Sequence, residues 1–150
     1  MKYSIYLDLC CFNRPYDDQT SRRVYLETEA KLFIQEQIKA GNYTLTWSYI
    51  LDFENSANPD DEVKNQILGW KNISYEHIMK TPQIIKLGQR LNTLGFGVKD
   101  SLHIACAAEG HVDFFLTTDK GILKRSDLLT EIKIMNPVEF IFLMEDGYEK

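Results

Sequence analysis

The sequence predicts an α/β domain, an open parallel sheet of about five strands with helices on both faces. Three observations carry this expectation. Short apolar runs alternate with amphipathic stretches along the chain, which is the βαβ pattern of a parallel sheet. The runs at 3–9, 43–47 and Phe114–Leu116 have strand length and strand-forming residues. The amphipathic stretches between them open and close on capping residues. Strands separated by helices cross over with one hand, so the sheet is parallel and covered on both sides.

Taken in order, residues 3–9 make the first strand. Asp17-Asp18-Gln19-Thr20-Ser21 supplies a polar break and a helix cap. The helix runs to about Lys39, with Val24, Leu32, Phe33 and Ile38 among its apolar positions, and stops at Gly41-Asn42. Residues 43–47 form the second strand. Ser48 caps a helix through Asn55, which ends before Asn58-Pro59. Asp60-Asp61-Glu62 puts negative charge at the start of another helix reaching about Trp70. A third strand, weaker in pattern, lies near 74–79. Thr81 then caps a helix with Pro82 in its first turn; Ile84, Leu87, Leu91 and Leu94 share a face, and Gly95 closes it. Residues 97–109 form an alanine-rich helix ending at Gly110. Phe114-Phe115-Leu116 is a buried strand, followed by Thr117-Thr118-Asp119 and a short helix. Residues 131–135 make a fifth strand, and Pro137 opens a last helix with Phe140, Ile141 and Leu143. There is no internal repeat and no linker, so 1–150 reads as a single domain.

The bulk properties agree with this and exclude several classes. A chain of 150 residues, 44% hydrophobic, buries a real core and is not a disordered sequence. No apolar run approaches the ~20 residues of a membrane helix. The chain begins on a strand without a secretory h-region, which leads to the expectation of a cytoplasmic protein. Its 3 cysteines include the neighbours Cys10 and Cys11, which rules out a disulfide framework, and there is no zinc spacing. They read as small hydrophobes. The net charge of −5 argues at first against a nucleic-acid partner. Placement matters more than the sum, because cations bound by clustered carboxylates would cancel them locally. Basic residues also group at Arg14, Arg22 and Arg23 and again at Lys120, Lys124 and Arg125.

Parallel sheets place their sites beyond the carboxyl ends of the strands, so carboxylates there draw attention. Asp8 ends an apolar run, although aspartate is depleted from strands and costly to bury unpaired. Asp119 follows Phe114-Phe115-Leu116-Thr117-Thr118, where helix capping explains a lone aspartate equally well. Asp100 enters the alanine-rich helix at its first turn, a position the helix dipole favours. That helix is apolar on most sides, so a carboxylate entering it needs a partner, and a metal is one. On the helix after the second strand, Asp52 and Glu54 stand roughly 200° apart, so only one faces the crevice, and spacing does not choose between them. Together such acids can bind hard divalent cations and support in-line phosphoryl displacement.

Four blocks, in order, closely resemble PIN-domain proteins. They are Tyr6-Leu7-Asp8 with Cys10-Cys11-Phe12-Asn13-Arg14-Pro15; Ser48-Tyr49-Ile50-Leu51-Asp52-Phe53-Glu54-Asn55; Lys99-Asp100-Ser101-Leu102-His103-Ile104-Ala105; and Thr117-Thr118-Asp119-Lys120. The resemblance spans almost the whole chain. It implies a PIN-like three-layer α/β/α fold with sheet order 3-2-1-4-5. It assigns Asp8, Glu54, Asp100 and Asp119 as catalytic and metal-binding acids, choosing Glu54 over Asp52. It further implies a Mg²⁺ or Mn²⁺ centre that cleaves RNA, with many relatives being VapC-type toxins held by an antitoxin protein and many forming homodimers. On this reading Asp8, Asp100 and Asp119 hold the main ion, and Glu54 binds a second or activates water. The products carry 5′-phosphate and 3′-hydroxyl ends.

Asn13, Arg14, Thr118 and Lys120 flank these acids as candidate substrate contacts, although each also has a structural explanation. His103 shares a helix face with Asp100. It is expected to be a packed side chain, since hard cations prefer oxygen. His77 and His111 have no partners in sequence, and no nucleophile elbow, Walker loop or dinucleotide fingerprint is present. The rival class is a non-catalytic RNA- or protein-binding module whose acids hold a structural ion or a basic peptide. A DNA or flap nuclease shares the chemistry, but the short chain has no helical-arch insertion.

Overall fold

The computed structural model describes residues 2–147. Five strands form one all-parallel sheet in the order β3-β2-β1-β4-β5, flanked by helices, as expected. The strands are β1 (Tyr3–Leu7), β2 (Tyr43–Ser48), β3 (Glu76–Ile78), β4 (Phe114–Leu116) and β5 (Lys133–Met135). The helices are α1 (Leu9–Asn13), α2 (Arg22–Lys39), α3 (Tyr49–Ser56), α4 (Asp61–Ile73), α5 (Pro82–Thr93), α6 (Val98–Glu109), α7 (Lys120–Lys124) and α8 (Pro137–Glu145). The anticipated caps are in place, with Ser48 Oγ accepting from Leu51 N–H and Thr81 Oγ1 from Ile84 N–H; Asp60, expected only as negative charge at the start of α4, also caps it by accepting from the Glu62 and Val63 N–H groups. Gly95 closes α5 at φ +105, where a side chain would be strained and would meet Arg125. No helix among the described residues is long and apolar enough to cross a membrane.

β1 is the central strand, paired with β2 (Ile5 opposite Leu45) and with β4 (Ile5 opposite Phe114). Its side chains alternate between the two faces. On one side Tyr6 lies flat against Phe115, 5.2 Å between ring centres, and meets His103 of α6 edge-on. On the other, Phe114 packs edge-on against Phe140 of α8 at 5.0 Å. Burial on both faces is why Ile5, Tyr6 and Leu7 are all inaccessible to solvent.

Three expectations are corrected. β1 stops at Leu7 rather than residue 9, because the Asp8 carboxylate accepts the Leu9 N–H and starts α1 at once. β3 and β5 are also shorter than the 74–79 and 131–135 expected, since only residues 76–78 and 133–135 pair with β2 and β4. The buried face of α2 is not formed by its apolar positions alone. Ile38 is buried, but Leu32 and Phe33 are 40% and 43% exposed, while Glu27, Thr28, Lys31 and Gln35 turn inward. Tertiary partners make this arrangement stable. Arg14 and Arg23 neutralise Glu27, and the Lys31 ammonium lies over the rings of Phe12 and Trp70 at 5.4 and 5.8 Å. In α5 the predicted face is mostly kept, with Ile84 and Leu91 buried and Leu94 left at the surface.

Candidate metal centre

The sheet order reverses beside β1. The chain leaves β1 toward β2 on one side and later returns to β4 on the other, so a crevice opens between the carboxyl ends of β1 and β4. Asp8 stands at the end of β1. Its backbone N–H still donates to Leu116 O of β4 at 3.0 Å, and its side chain is buried. Oδ1 accepts from Leu9 N–H at 2.8 Å, and Oδ2 accepts from the Thr117 hydroxyl at 2.8 Å. The Cys10 thiol lies 3.5 Å from Oδ2. Buried carboxylates require such donors, and these also fix where both oxygens point.

Glu54 comes from the last turn of α3. The helix separates its two acids as geometry demands. Asp52 turns away to accept from Trp47 Nε1 at 3.0 Å and to pair with Lys71 Nζ at 2.9 Å, whereas Glu54 faces the crevice and meets His103. His103 comes from α6, one turn after Asp100, and is 0% exposed. Its Nε2 is hydrogen-bonded to Glu54 Oε1 and lies 3.8 Å from Asp8 Oδ1. Its Nδ1 is 2.6 Å from the Tyr6 hydroxyl, which is itself 2.6 Å from Ser48 Oγ.

The electrostatics follow from these contacts. Burial opposes a charged imidazole, yet the hydrogen bond to Glu54 and the fields of Asp8, Glu54 and Asp100 raise the His103 pKa above its ordinary value. Burial likewise opposes the Glu54 carboxylate, but His103 and Lys99 hold its pKa below the usual range. Asp100 moves the other way. Burial, then Asp8 and Asp119, with a smaller push from Glu54, raise its carboxyl to about 6 against a partial offset from His103. The four predicted acids therefore share one electrostatic environment.

Ligating atoms of Asp8, Glu54 and His103 all lie within 4.8 Å of one another. That spread is close to twice a metal–oxygen distance of about 2.0–2.5 Å, and two carboxylate oxygens with one imidazole nitrogen suit a divalent cation. Asp100 and Asp119 are outside this tight group. Asp119 is half-buried and caps α7 by accepting from Ile122 N–H at 3.0 Å, as its position suggested.

The flanking residues divide. Arg14 is committed to Glu27 and Asp17 at 2.9 and 2.8 Å, and Asn13 Oδ1 accepts from Asn58 Nδ2 at 3.4 Å. Thr118 is buried, its N–H directed at Cys10 Sγ; Lys120 is exposed at the start of α7. A groove of about 330 Å³ lined by Glu54, Asn13, Tyr16, Asp17 and Asp60 adjoins the cluster. Three residues were passed over or undervalued by spacing arguments. His103 is packed, as expected, but also belongs to the cluster; its i, i+3 relation to Asp100 was the available signal. Tyr6 looked like an ordinary strand residue. Lys99 lies over the exposed Phe53 ring at 5.8 Å and acts on Glu54. No protein-family model matches the chain, and no curated protein matches it. The geometry itself yields a buried Asp/Glu/His cluster, at the switch point of a parallel sheet, able to hold a metal ion.

Proposed function

We propose that the chain is a divalent-metal-dependent endoribonuclease of the PIN type, using Mg²⁺ or Mn²⁺ to hydrolyse RNA phosphodiester bonds. The observation that carries this reading is the Asp8, Glu54 and His103 cluster at the switch point of the sheet, whose field Asp100 shares. Burial, together with the charges of Asp8, Asp119 and Glu54, raises the Asp100 carboxyl to about 6. Such mutual repulsion is what a doubly charged cation relieves. Bound there, the ion supplies activation of water and charge stabilisation for an in-line displacement.

The protein's own groups have separable tasks. Thr117 and the Leu9 N–H hold the Asp8 oxygens in place for the cation. Glu54, an anion at neutral pH, accepts a proton from the attacking water. Asp100 and Asp119 complete the acidic ring on the α6 and β4 sides. Lys99 and Lys120 contribute positive charge toward the phosphates, and the resemblance to PIN proteins supplies RNA as the substrate. The same reading makes the chain a cytoplasmic toxin of a VapBC-type pair. It would act as a homodimer, for which Tyr25, Leu26, Leu32 and Phe33 leave an exposed apolar face on α2.

The test uses purified protein and 5′-labelled RNA with Mn²⁺, Mg²⁺ or EDTA. Cleavage in metal alone, yielding 5′-phosphate and 3′-hydroxyl ends and lost in Asp8→Asn, is the expected result. RNA retained intact in every metal refutes the nuclease and leaves a binding module. A short neighbouring reading frame whose product blocks cleavage tests the toxin assignment, and sedimentation across concentrations tests the dimer.

A further inference from the structure

We propose that His103 ligates the metal directly through Nε2. We further propose that the Tyr6–Ser48 pair behind it holds the tautomer which ligation requires, giving the centre a preference for first-row transition ions over Mg²⁺. This rests on the metal-centre reading above and adds a nitrogen ligand to it.

The imidazole is fully buried, and both of its nitrogens are spoken for. Nε2 points into the cluster with Asp8 and Glu54, while Nδ1 points back to the Tyr6 hydroxyl at 2.6 Å. Tyr6 is fully buried in the centre of the sheet, stacked on Phe115 and edge-on to His103. Ring orientation is thus set before any ion arrives. A ligating His normally presents its second ring nitrogen to such a partner, which fixes tautomer and direction.

The hydrogen-bond chain permits two protonation patterns. When Nε2–H donates to Glu54, Nδ1 accepts from the Tyr6 hydroxyl, which in turn accepts from Ser48. Ligation needs a lone pair on Nε2, so the Nε2 proton leaves by way of the Glu54 carboxylate to solvent, and solvent returns one proton to the imidazole at Nδ1. Nδ1–H then donates to the Tyr6 oxygen, and the Tyr6 hydroxyl turns to donate to Ser48 Oγ. The Ser48 hydroxyl turns toward the Cys106 thiol, with which it is also hydrogen-bonded. Every buried group stays partnered in both patterns, and the proton count of the imidazole is unchanged. A phenol and a serine can both donate and accept, and a carboxylate behind the ring could not reverse in this way.

Metal preference follows from the donor set. Mg²⁺ demands oxygen and gains little from imidazole, whereas transition ions accept nitrogen readily. Calorimetry with Mn²⁺ and with Mg²⁺ on the whole chain, together with pulsed EPR of the Mn²⁺-loaded protein, tests this. The wild type should bind Mn²⁺ more tightly and show ¹⁴N coupling from a directly bound nitrogen. His103→Gln should lose the coupling and most of the Mn²⁺ preference. Tyr6→Phe, which keeps the ring and its packing, should weaken Mn²⁺ binding about 10–100-fold while leaving Mg²⁺ binding little changed. Circular dichroism confirms that each variant is folded. Mn²⁺ binding without ¹⁴N coupling in the wild type overturns the His103 ligand and spares the nuclease reading. Equal weakening for both ions in Tyr6→Phe overturns the tautomer role. Absence of binding by either ion overturns the metal centre itself.

Discussion

Asp100→Asn should make the metal-free protein more stable at neutral pH while abolishing cleavage. Moving a carboxyl from 3.8 to about 6 costs the folded state about 3 kcal/mol if fully expressed. The group is only half-buried, so solvent screening reduces that to about 1.5 kcal/mol. Against this, an acid in the first turn of α6 gains about 0.3–1 kcal/mol from the helix dipole, which asparagine loses. The net gain is about 0.5–1 kcal/mol, or about 1–4 °C in Tm for a chain of this size. The pH dependence makes the argument specific. Below about pH 4, folded and unfolded chains both carry the proton, and Asp100 costs nothing. Between about 4 and 6 the unfolded chain releases its proton while the folded one retains it, so stability falls as pH rises. The full cost is present above about 6. Urea unfolding of wild type and Asp100→Asn in EDTA at pH 4, 5.5 and 7 reads this directly. The variant's advantage should grow across that range. A variant equally stable at every pH, or less stable at pH 7, would refute the crowding of acids around Asp100.

Adding Mn²⁺ at about 100 times its Kd should stabilise the wild type by about 2.7 kcal/mol and leave Asp8→Asn unmoved; thermal melts with and without EDTA measure both. Glu54→Gln should lower the His103 pKa, as followed by NMR titration, since the Glu54 hydrogen bond is the largest influence raising it. Linkage sets the window of that pair. Its Glu54 part is present above 4.5 and lost as pH falls through the depressed folded pKa. Its His103 part is present below 6.5 and lost as pH rises through the elevated one. Hence wild type should exceed Glu54→Gln in stability most clearly between about pH 5 and 6.5. Arg14→Ala should cost about 2 kcal/mol in urea unfolding, below the 3–5 for stripping a buried charge bare, because Arg23 and Asn136 still serve Glu27. RNA affinity unchanged in that variant identifies Arg14 as a structural residue, and a large loss of affinity would make it a phosphate contact.

The alternation of apolar runs with capped helices was enough to determine the layered parallel sheet, because period, caps and crossover handedness are local or nearly local rules. The strand order came from resemblance, and the structure bears it out. Local rules also marked Asp8 as strange, since an aspartate closing a buried strand must find donors somewhere. They did not say which donors: the Leu9 N–H that ends β1 early is a neighbour, but Thr117 is 109 residues away. The buried face of α2 lay beyond local rules for the same reason. Whether Glu27 and Lys31 can be buried depends on Arg14, Phe12 and Trp70, which the helix's own periodicity does not contain. Spacing separated Asp52 from Glu54 without choosing; the resemblance chose Glu54, and Trp47 and Lys71 claiming Asp52 give the physical reason. His103 is the sharpest case. Sequence made it a buried helix residue, which it is. Only the tertiary structure set Glu54 and Asp8 before one nitrogen and Tyr6 behind the other, because a side chain's chemistry depends on partners that folding, not spacing, brings to it.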